Sequence, residues 1–551
     1  MCYIAINRKR KELFVAADKL YLGNVITMEP GHPTAQAVAV KNGRIVFAGS
    51  EETARALCDD ATKVVDFGDN YVYPGIIEGH CHPDMAGVRI RWQADLTGGA
   101  SMPEYVDLMD AFIKENPGLD EYRGAGWCER ECKPTAAMLD AICPDAAIVL
   151  QSVDGHSMWF NTKGMEKYGI NEQAAEYWGT DIIRLDAEGK PTGYISEGPV
   201  IEITQKARYT DEQRDEAYLA WQDFAFEQGL TACLHAGVVE STCKIYDRLE
   251  RAGKLKIHTY GVYMIDERCE DYVAKVQEAK RLADTYNSEH FQVIGIKVFM
   301  DGVVEAHTAW MCEGYEDDPE CTGVKRMCDF DRVTELVAAA TEEDFLVHCH
   351  AIGDGAIKFA VDCIEAAEKR TGDFTGRHAI CHLQIMRPQD VRRMADLRIT
   401  PVVAPLWVPK DPVYYQQAIN VIGEERAANT YPIKAFVDAG APVTFHTDYP
   451  VSTDMSVPLS IYCAASRTKP DLGEAGVHNP AECITREQAL AALTSAAAYS
   501  VKQEAEIGAI APGYVANLTV FDKNFLVDDL EEVAASKLIA TVVDGEVVYS
   551  A

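Results

Sequence analysis

Eight short apolar runs, most of them carrying polar residues capable of chemistry at or near their ends, constrain this chain of 551 residues more than any other feature. They occupy residues 75–80, 230–235, 256–262, 293–299, 345–350, 379–382, 399–403 and 442–448. From the second run onward, helical patterns fall between consecutive members, for example at 331–341 and 356–370. Parallel strands need a long crossover, and a helix is the usual one. Eight such units predict an α/β fold, a (β/α)8 barrel whose chemistry gathers at the C-terminal ends of its strands. The count holds only if residues 101–204 are set aside as an insertion after the first barrel strand, placed over the active-site mouth. The alternative is a larger irregular sheet that uses every run.

Both ends of the chain have a different texture. Residues 19–22, 25–28, 37–40 and 44–49 read as strands, with Asn42-Gly43 as a hairpin turn. Residues 516–521, 540–543 and 546–549 repeat the pattern around Asp544-Gly545. This predicts a small β-sandwich domain composed of 1–72 and 505–551, leaving 73–100 and 205–504 for the barrel.

The charge balance narrows the partners. Lys+Arg 52 against Asp+Glu 86 gives a net charge of −34. Such a surface repels phosphate backbones and anionic bilayers, so neither nucleic acid nor a membrane is an expected partner. Arg8-Lys9-Arg10-Lys11 is not followed by an apolar segment, so no secretory signal is read. Seventeen cysteines without framework spacing fit reduced thiols and a cytoplasmic location. Cys128 and Cys132 look zinc-like but lack a second pair, which favours idle thiols. A small-molecule substrate is expected, and a homodimer is compatible with this composition.

The runs bring one chemical type to one rim. His80 and His82 are two apart, so on a strand both side chains point the same way, a start to a metal site. A lone histidine at a strand end is usually a satisfied core or loop residue. Here His80, His82, Lys297, His350, His382 and Asp448 fall at or near the ends of runs 1, 4, 5, 6 and 8, and that convergence predicts metal binding. His348 and His350 share a face, as do His378 and His382. The members nearer the rim, His350 and His382, are the expected ligands, and the inner ones are packed or hydrogen-bonded partners.

Longer patterns surround these residues. They are Pro74-Gly75-Ile76-Ile77-Glu78-Gly79-His80-Cys81-His82, Ile296-Lys297-Val298-Phe299-Met300-Asp301-Gly302, His350-Ala351-Ile352-Gly353-Asp354-Gly355-Ala356, Arg377-His378-Ala379-Ile380-Cys381-His382-Leu383-Gln384 and Thr447-Asp448-Tyr449-Pro450-Val451. They resemble the PGxxDxHxH, lysine-strand, HAIGDxA, RHxIEHxQ and SDxPV motifs of the amidohydrolase superfamily, in the amidohydrolase family 3 branch that includes N-substituted formamide deformylases. Gly126-Trp127, Asp154-Gly155-His156-Ser157, Gly193-Tyr194-Ile195-Ser196-Glu197 and Glu506-Ile507-Gly508-Ala509-Ile510-Ala511-Pro512-Gly513 also look like landmarks of that family. The resemblance covers nearly the whole chain. Cys381 stands where the family usually has Glu, Glu78 and Asn517 where it has Asp, and Thr447 where it has Ser. None of these removes an expected ligand, but Cys381 is expected to alter the tuning of His382.

The resemblance implies a metal-dependent amidohydrolase that cleaves an amide-like, non-peptide C–N bond of a small molecule. A divalent metal, zinc, as one or two ions, lowers the pKa of water from about 16 to about 7. Asp448 is placed to take the water's proton and pass it to the leaving nitrogen; it also reads as a metal ligand. Lys297 lies in an apolar strand, where a charged ammonium is costly to bury. A neutral amine there can add carbon dioxide to give N6-carboxylysine, and barrel amidohydrolases often use such a lysine to bridge two metals. The competing reading pairs Lys297 with a carboxylate such as Asp301 beside a single metal. His156, Glu197, His235 and Asp301 are candidate substrate-binding residues, and a buried structural role is equally open for His235. A deaminase, lactonase or decarboxylase on the same barrel is the runner-up, and a catalytically silent binding protein the distant one.

Overall fold

The computed structural model describes residues 16–128, 134–152, 157–180, 182–196, 200, 203, 208–412 and 414–551. They divide into two compact units, Met1–His82 with Phe224–Ala551, and Pro83–Asp223.

The first unit holds an eight-stranded sheet. Its strands are β1 (Ile76–Cys81), β2 (Leu230–Val238), β3 (His258–Met264), β4 (Phe291–Phe299), β5 (Leu346–Ala351), β6 (Ala379–His382), β7 (Thr400–Val403) and β8 (Thr444–Phe445). Neighbours in the sheet are neighbours in sequence, and every ladder is parallel. All eight apolar runs are therefore barrel strands. Helices separate most of them, including Phe330–Glu342 and Asp354–Thr371, whose Asp329 cap and Gly372 end follow ordinary helix chemistry. Two backbone bonds join the last strand's end to the first: Asp448 N–H to His80 O at 3.0 Å and His82 N–H to Tyr449 O at 2.9 Å. Gly79 permits this approach, because a Cβ there would lie 2.5 Å from the Phe445 carbonyl oxygen.

The strand-rich ends form one continuous seven-stranded sheet. Its middle strand, Lys63–Pro74, pairs with Lys19–Ile26 on one side and Leu518–Phe521 on the other. Asn42-Gly43 and Asp544-Gly545 both have positive φ at both residues, as a tight hairpin turn requires. The core of this sheet, which includes Tyr21, Val38, Val72, Leu518 and Val542, draws on both halves, so the sheet curls around it.

The second unit carries its own six-stranded sheet, in the order Ile183–Leu185, Pro191–Ser196, Ser157–Phe160, Ala147–Ser152, Glu121–Trp127, Gln93–Asp95. Trp127, Trp159 and Tyr194 meet edge to face in its core. The unit is wider than the 101–204 block set aside from sequence. Its flanking helix Pro83–Trp92 packs on Asp211–Glu227, where a Cβ on Gly87 would sit 2.1 Å from the Ala217 carbonyl oxygen, and Trp92 donates to Gln213 O at 2.7 Å. Among the described residues no helix is long and apolar enough to cross a membrane.

Candidate metal centre

The strand ends of the barrel bring five histidines and a carboxylate into one buried cluster. His80 and His82 both direct Nε2 at Asp448 Oδ1, at 3.4 and 3.1 Å. His382 Nδ1 lies 4.0 Å from Asp448 Oδ2. The ring of His382 is 5.2 Å from His80 and 4.5 Å from His350, centroid to centroid. The strand ends that place these groups are locally unusual. His382 and Asp448 both have positive φ, +78° and +60°, a conformation costly outside glycine and often found where a site demands it.

Neighbouring groups set which nitrogen each ring presents. His80 Nδ1 lies 2.7 Å from His348 Nε2, and His350 Nε2 donates to the Gly302 carbonyl at 3.1 Å. With those atoms engaged, His80 offers Nε2 and His350 offers Nδ1 to the cluster. Burial, with Lys297 adding to it, lowers the pKa of His80, His348 and His350, the last to about 3, so these rings are neutral and carry free lone pairs. Asp448 stays ionised: the hydrogen bond from His82 and the surrounding rings outweigh the effect of burial.

Glu78 ties the two strand ends together. It accepts from the His80 and Thr447 backbone N–H groups at 3.0 Å each and from the Thr447 hydroxyl at 3.0 Å. Burial pushes its carboxyl up to about 8.

Lys297 is buried in the same cavity. Its Nζ contacts Cys381 Sγ at 3.5 Å and lies 4.9 Å over the Phe299 ring. Asp301 does not pair with it. Both Asp301 oxygens are engaged by backbone N–H groups of Trp310, Ile352 and Gly353, at 2.8 to 3.3 Å, so its carboxylate pins two loops, and Oδ1 lies 3.6 Å from His350 Nε2. His235 bonds through Nδ1 to Tyr246 OH of the following helix at 2.7 Å. His156, Glu197 and Cys132 lie outside the described residues.

One buried residue of the cluster was not singled out from sequence. His446 lies 5.1 Å from the His382 ring and 5.3 Å from His80, and neither of its nitrogens has a hydrogen-bond partner among the described residues. Its position two residues before Asp448 was the available signal, since alternation puts both on one strand face. Trp407 stacks on His382 with ring centroids 5.6 Å apart.

The donor set fits a divalent cation. One ligand atom each from His80, His82 and Asp448 lie within 4.8 Å of one another, as do one each from His80, Cys381 and His382. Among the described residues His382 Nδ1 is buried without a hydrogen-bond partner, as expected of a nitrogen kept for a metal.

Comparisons with known proteins bear on the family and the fold. Residues 63–549 match the model of a family described as "Amidohydrolase family". The chain is 27% identical over 97% of its length, and 92% of the relative's, to Protein LONG AFTER FAR-RED 3 of Arabidopsis thaliana. It is 25% identical over 96% of its length, and 97% of the relative's, to an N-substituted formamide deformylase of Arthrobacter pascens. The crystal structure of an uncharacterized metal-dependent hydrolase from Pyrococcus furiosus superposes with a TM-score of 0.75 at 24% identity, covering 92% of this chain and 100% of that one.

Proposed function

Because the chain belongs to the amidohydrolase family, we propose that this metal-dependent hydrolase cleaves an amide-like C–N bond of a small molecule, with Asp448 as general base. The observation that carries the reading is the convergence of His80 Nε2 and His82 Nε2 on one oxygen of Asp448, inside a buried ring of neutral histidines. Its likeness to an N-substituted formamide deformylase across 96% of the chain favours a C–N bond as the one broken.

His80, His82, His350, His382 and Asp448 would hold the metal. Bound there, a zinc ion supplies the acidity that ionises water near neutral pH and the charge that polarises a carbonyl. Asp448 takes the proton of the attacking water and returns it to the leaving nitrogen. Glu78 holds the backbone on both sides of this exchange, so Asp448 and His80 keep their spacing. Lys297, with no carboxylate beside it among the described residues, would as a neutral amine add carbon dioxide through Nζ with loss of one proton, and its carbamate oxygens would then be available to hold a second ion.

The test is turnover of the metal-loaded full-length chain on a panel of N-formyl and N-acyl amines. Equal yields of carboxylate and amine, abolished by a chelator, are expected. Ammonia as the nitrogen product, or no turnover across the panel, would overturn the reading. For Lys297, Lys297→Ala should lose metal and regain it with short carboxylic acids. A bare amine in an active, fully metallated enzyme would defeat the carbamate.

A further inference from the structure

We infer that Cys381 is a thiolate ligand of the metal centre. The inference rests on the metal-dependent reading above and adds a ligand of a different chemical type to it.

The barrel's register puts Cys381 on the inner face. Phe299 pairs with His350, and His350 pairs with Cys381. Residues in register across a parallel ladder face the same way, and His350 faces the cluster. Regular alternation would then send His382 outward. The positive φ of His382 breaks the alternation, so Cys381 and His382 enter the same cavity together.

The distances suit a shared ion. Cys381 Sγ, one ring nitrogen of His80 and one of His382 all lie within 4.8 Å of one another. Ligand atoms around a tetrahedral zinc stand about 3.5 Å apart, given Zn–N and Zn–S bonds of about 2.0–2.3 Å. Only small side-chain shifts separate the two arrangements. The unpartnered Nδ1 of His382 is an independent sign that the cavity is built for a ligand. So is His446, buried beside it with both nitrogens unpaired.

Of the sulfur's other contacts, the Lys297 amine favours a thiolate and the Cys349 carbonyl favours the thiol, so the ion has to displace the second. Its S–H donates to the Cys349 carbonyl at 3.1 Å, and the Lys297 amine lies 3.5 Å away. When a cation binds, the S–H bond breaks, the proton leaves to solvent, and the sulfur lone pair forms the bond to the ion. A thiolate is softer than the carboxylate that resembling sequences carry here. It shifts the preference of the centre toward zinc and away from magnesium or manganese.

X-ray absorption at the zinc edge of the zinc-loaded full-length protein tests this without reference to turnover. The wild type should show one sulfur at about 2.3 Å beside nitrogen and oxygen neighbours at about 2.0–2.2 Å. Cys381→Ser, nearly isosteric, and Cys381→Ala should lose the sulfur, while Cys81→Ser keeps it. Zinc bound in the wild type with only nitrogen and oxygen neighbours would overturn the thiolate and leave the metal reading standing. A sulfur that survives both Cys381 substitutions would do the same. A wild type that binds no zinc would overturn both.

Discussion

His80 Nδ1 and His348 Nε2 are 2.7 Å apart, with both rings fully buried. Neutral rings this close share one proton, and His348 Nδ1 has no hydrogen-bond partner among the described residues. If His80 is the donor, its Nε2 is left with a lone pair aimed at the metal cluster, the arrangement a ligand needs. His348→Leu removes the acceptor and should weaken metal affinity about 10- to 100-fold. His348→Gln, whose carbonyl can still accept, should lose less. Competition against a chelator measures both, and equal affinities in all three proteins would exclude this role.

Asp448→Asn should lower turnover by at least about a hundredfold, the lower scale for loss of a general base. Asparagine matches aspartate in shape and tolerates the φ of +60°, so the strand end should keep its fold. Activity and metal content are measured on the same sample. Near wild-type turnover with metal retained would remove Asp448 from the chemistry.

Asp301→Ala should act on stability more than on substrate affinity. It strips the acceptor from the N–H groups of Trp310, Ile352 and Gly353. Each buried donor left unpaired costs roughly 1–3 kcal/mol, so a loss of at least about 2 kcal/mol is expected. A lowered denaturant midpoint with little change in KM is the predicted pattern. An unchanged midpoint with a raised KM would make Asp301 a substrate-binding residue after all.

A second histidine cluster, at the other end of the barrel, should make stability depend on pH. Asp544 of the C-terminal hairpin accepts from His258 and His290 at 2.9 Å each, and His290 Nδ1 faces Glu250 at 3.1 Å. Glu289 is the remaining titratable neighbour of His290. Burial opposes charge on His290, but the bonds to Asp544 and Glu250 outweigh it and raise its pKa. Asp544 is depressed: its bonds from His258 and His290 outweigh burial. The contribution of His290 is therefore complete below about pH 6.5, its unfolded value, and fades as pH rises through the raised folded value. That of Asp544 is complete above about pH 3.9 and fades on acidification through its depressed value. The melting-temperature gap between wild type and His290→Gln should be larger at pH 6 than at pH 9. An equal gap at both would rule out a charged His290.

Period-two alternation and strand-end chemistry made most of the barrel legible in sequence. Eight apolar runs became eight strands. What stayed hidden depends on backbone geometry. Alternation counted back from His382 puts Cys381 on the wrong face, because nothing local announces a φ of +78°. The second unit's edges at Pro83 and Asp223 follow from Gly87 meeting Ala217, a contact between helices far apart in sequence. Residues 63–66 and 71–72 both pair with Lys19–Ile26 across a register shift and so form the one strand Lys63–Pro74, whose later part, residues 71–74, also takes Leu518–Phe521 from the far end of the chain.

That shared strand sets a timetable for synthesis. Tyr71 and Val72 gain one neighbour from Lys19–Ile26 almost at once, but the strand that pairs with all of residues 71–74, Leu518–Phe521, is translated only after the whole barrel. At about 5–20 residues per second, the wait is on the order of half a minute or more. Throughout it, Val72 and Tyr73, both buried once folding is complete, stand on a bare strand edge able to capture another nascent copy. A product released before Leu518 keeps that edge for good, so incomplete chains should be found in inclusion bodies rather than as soluble fragments.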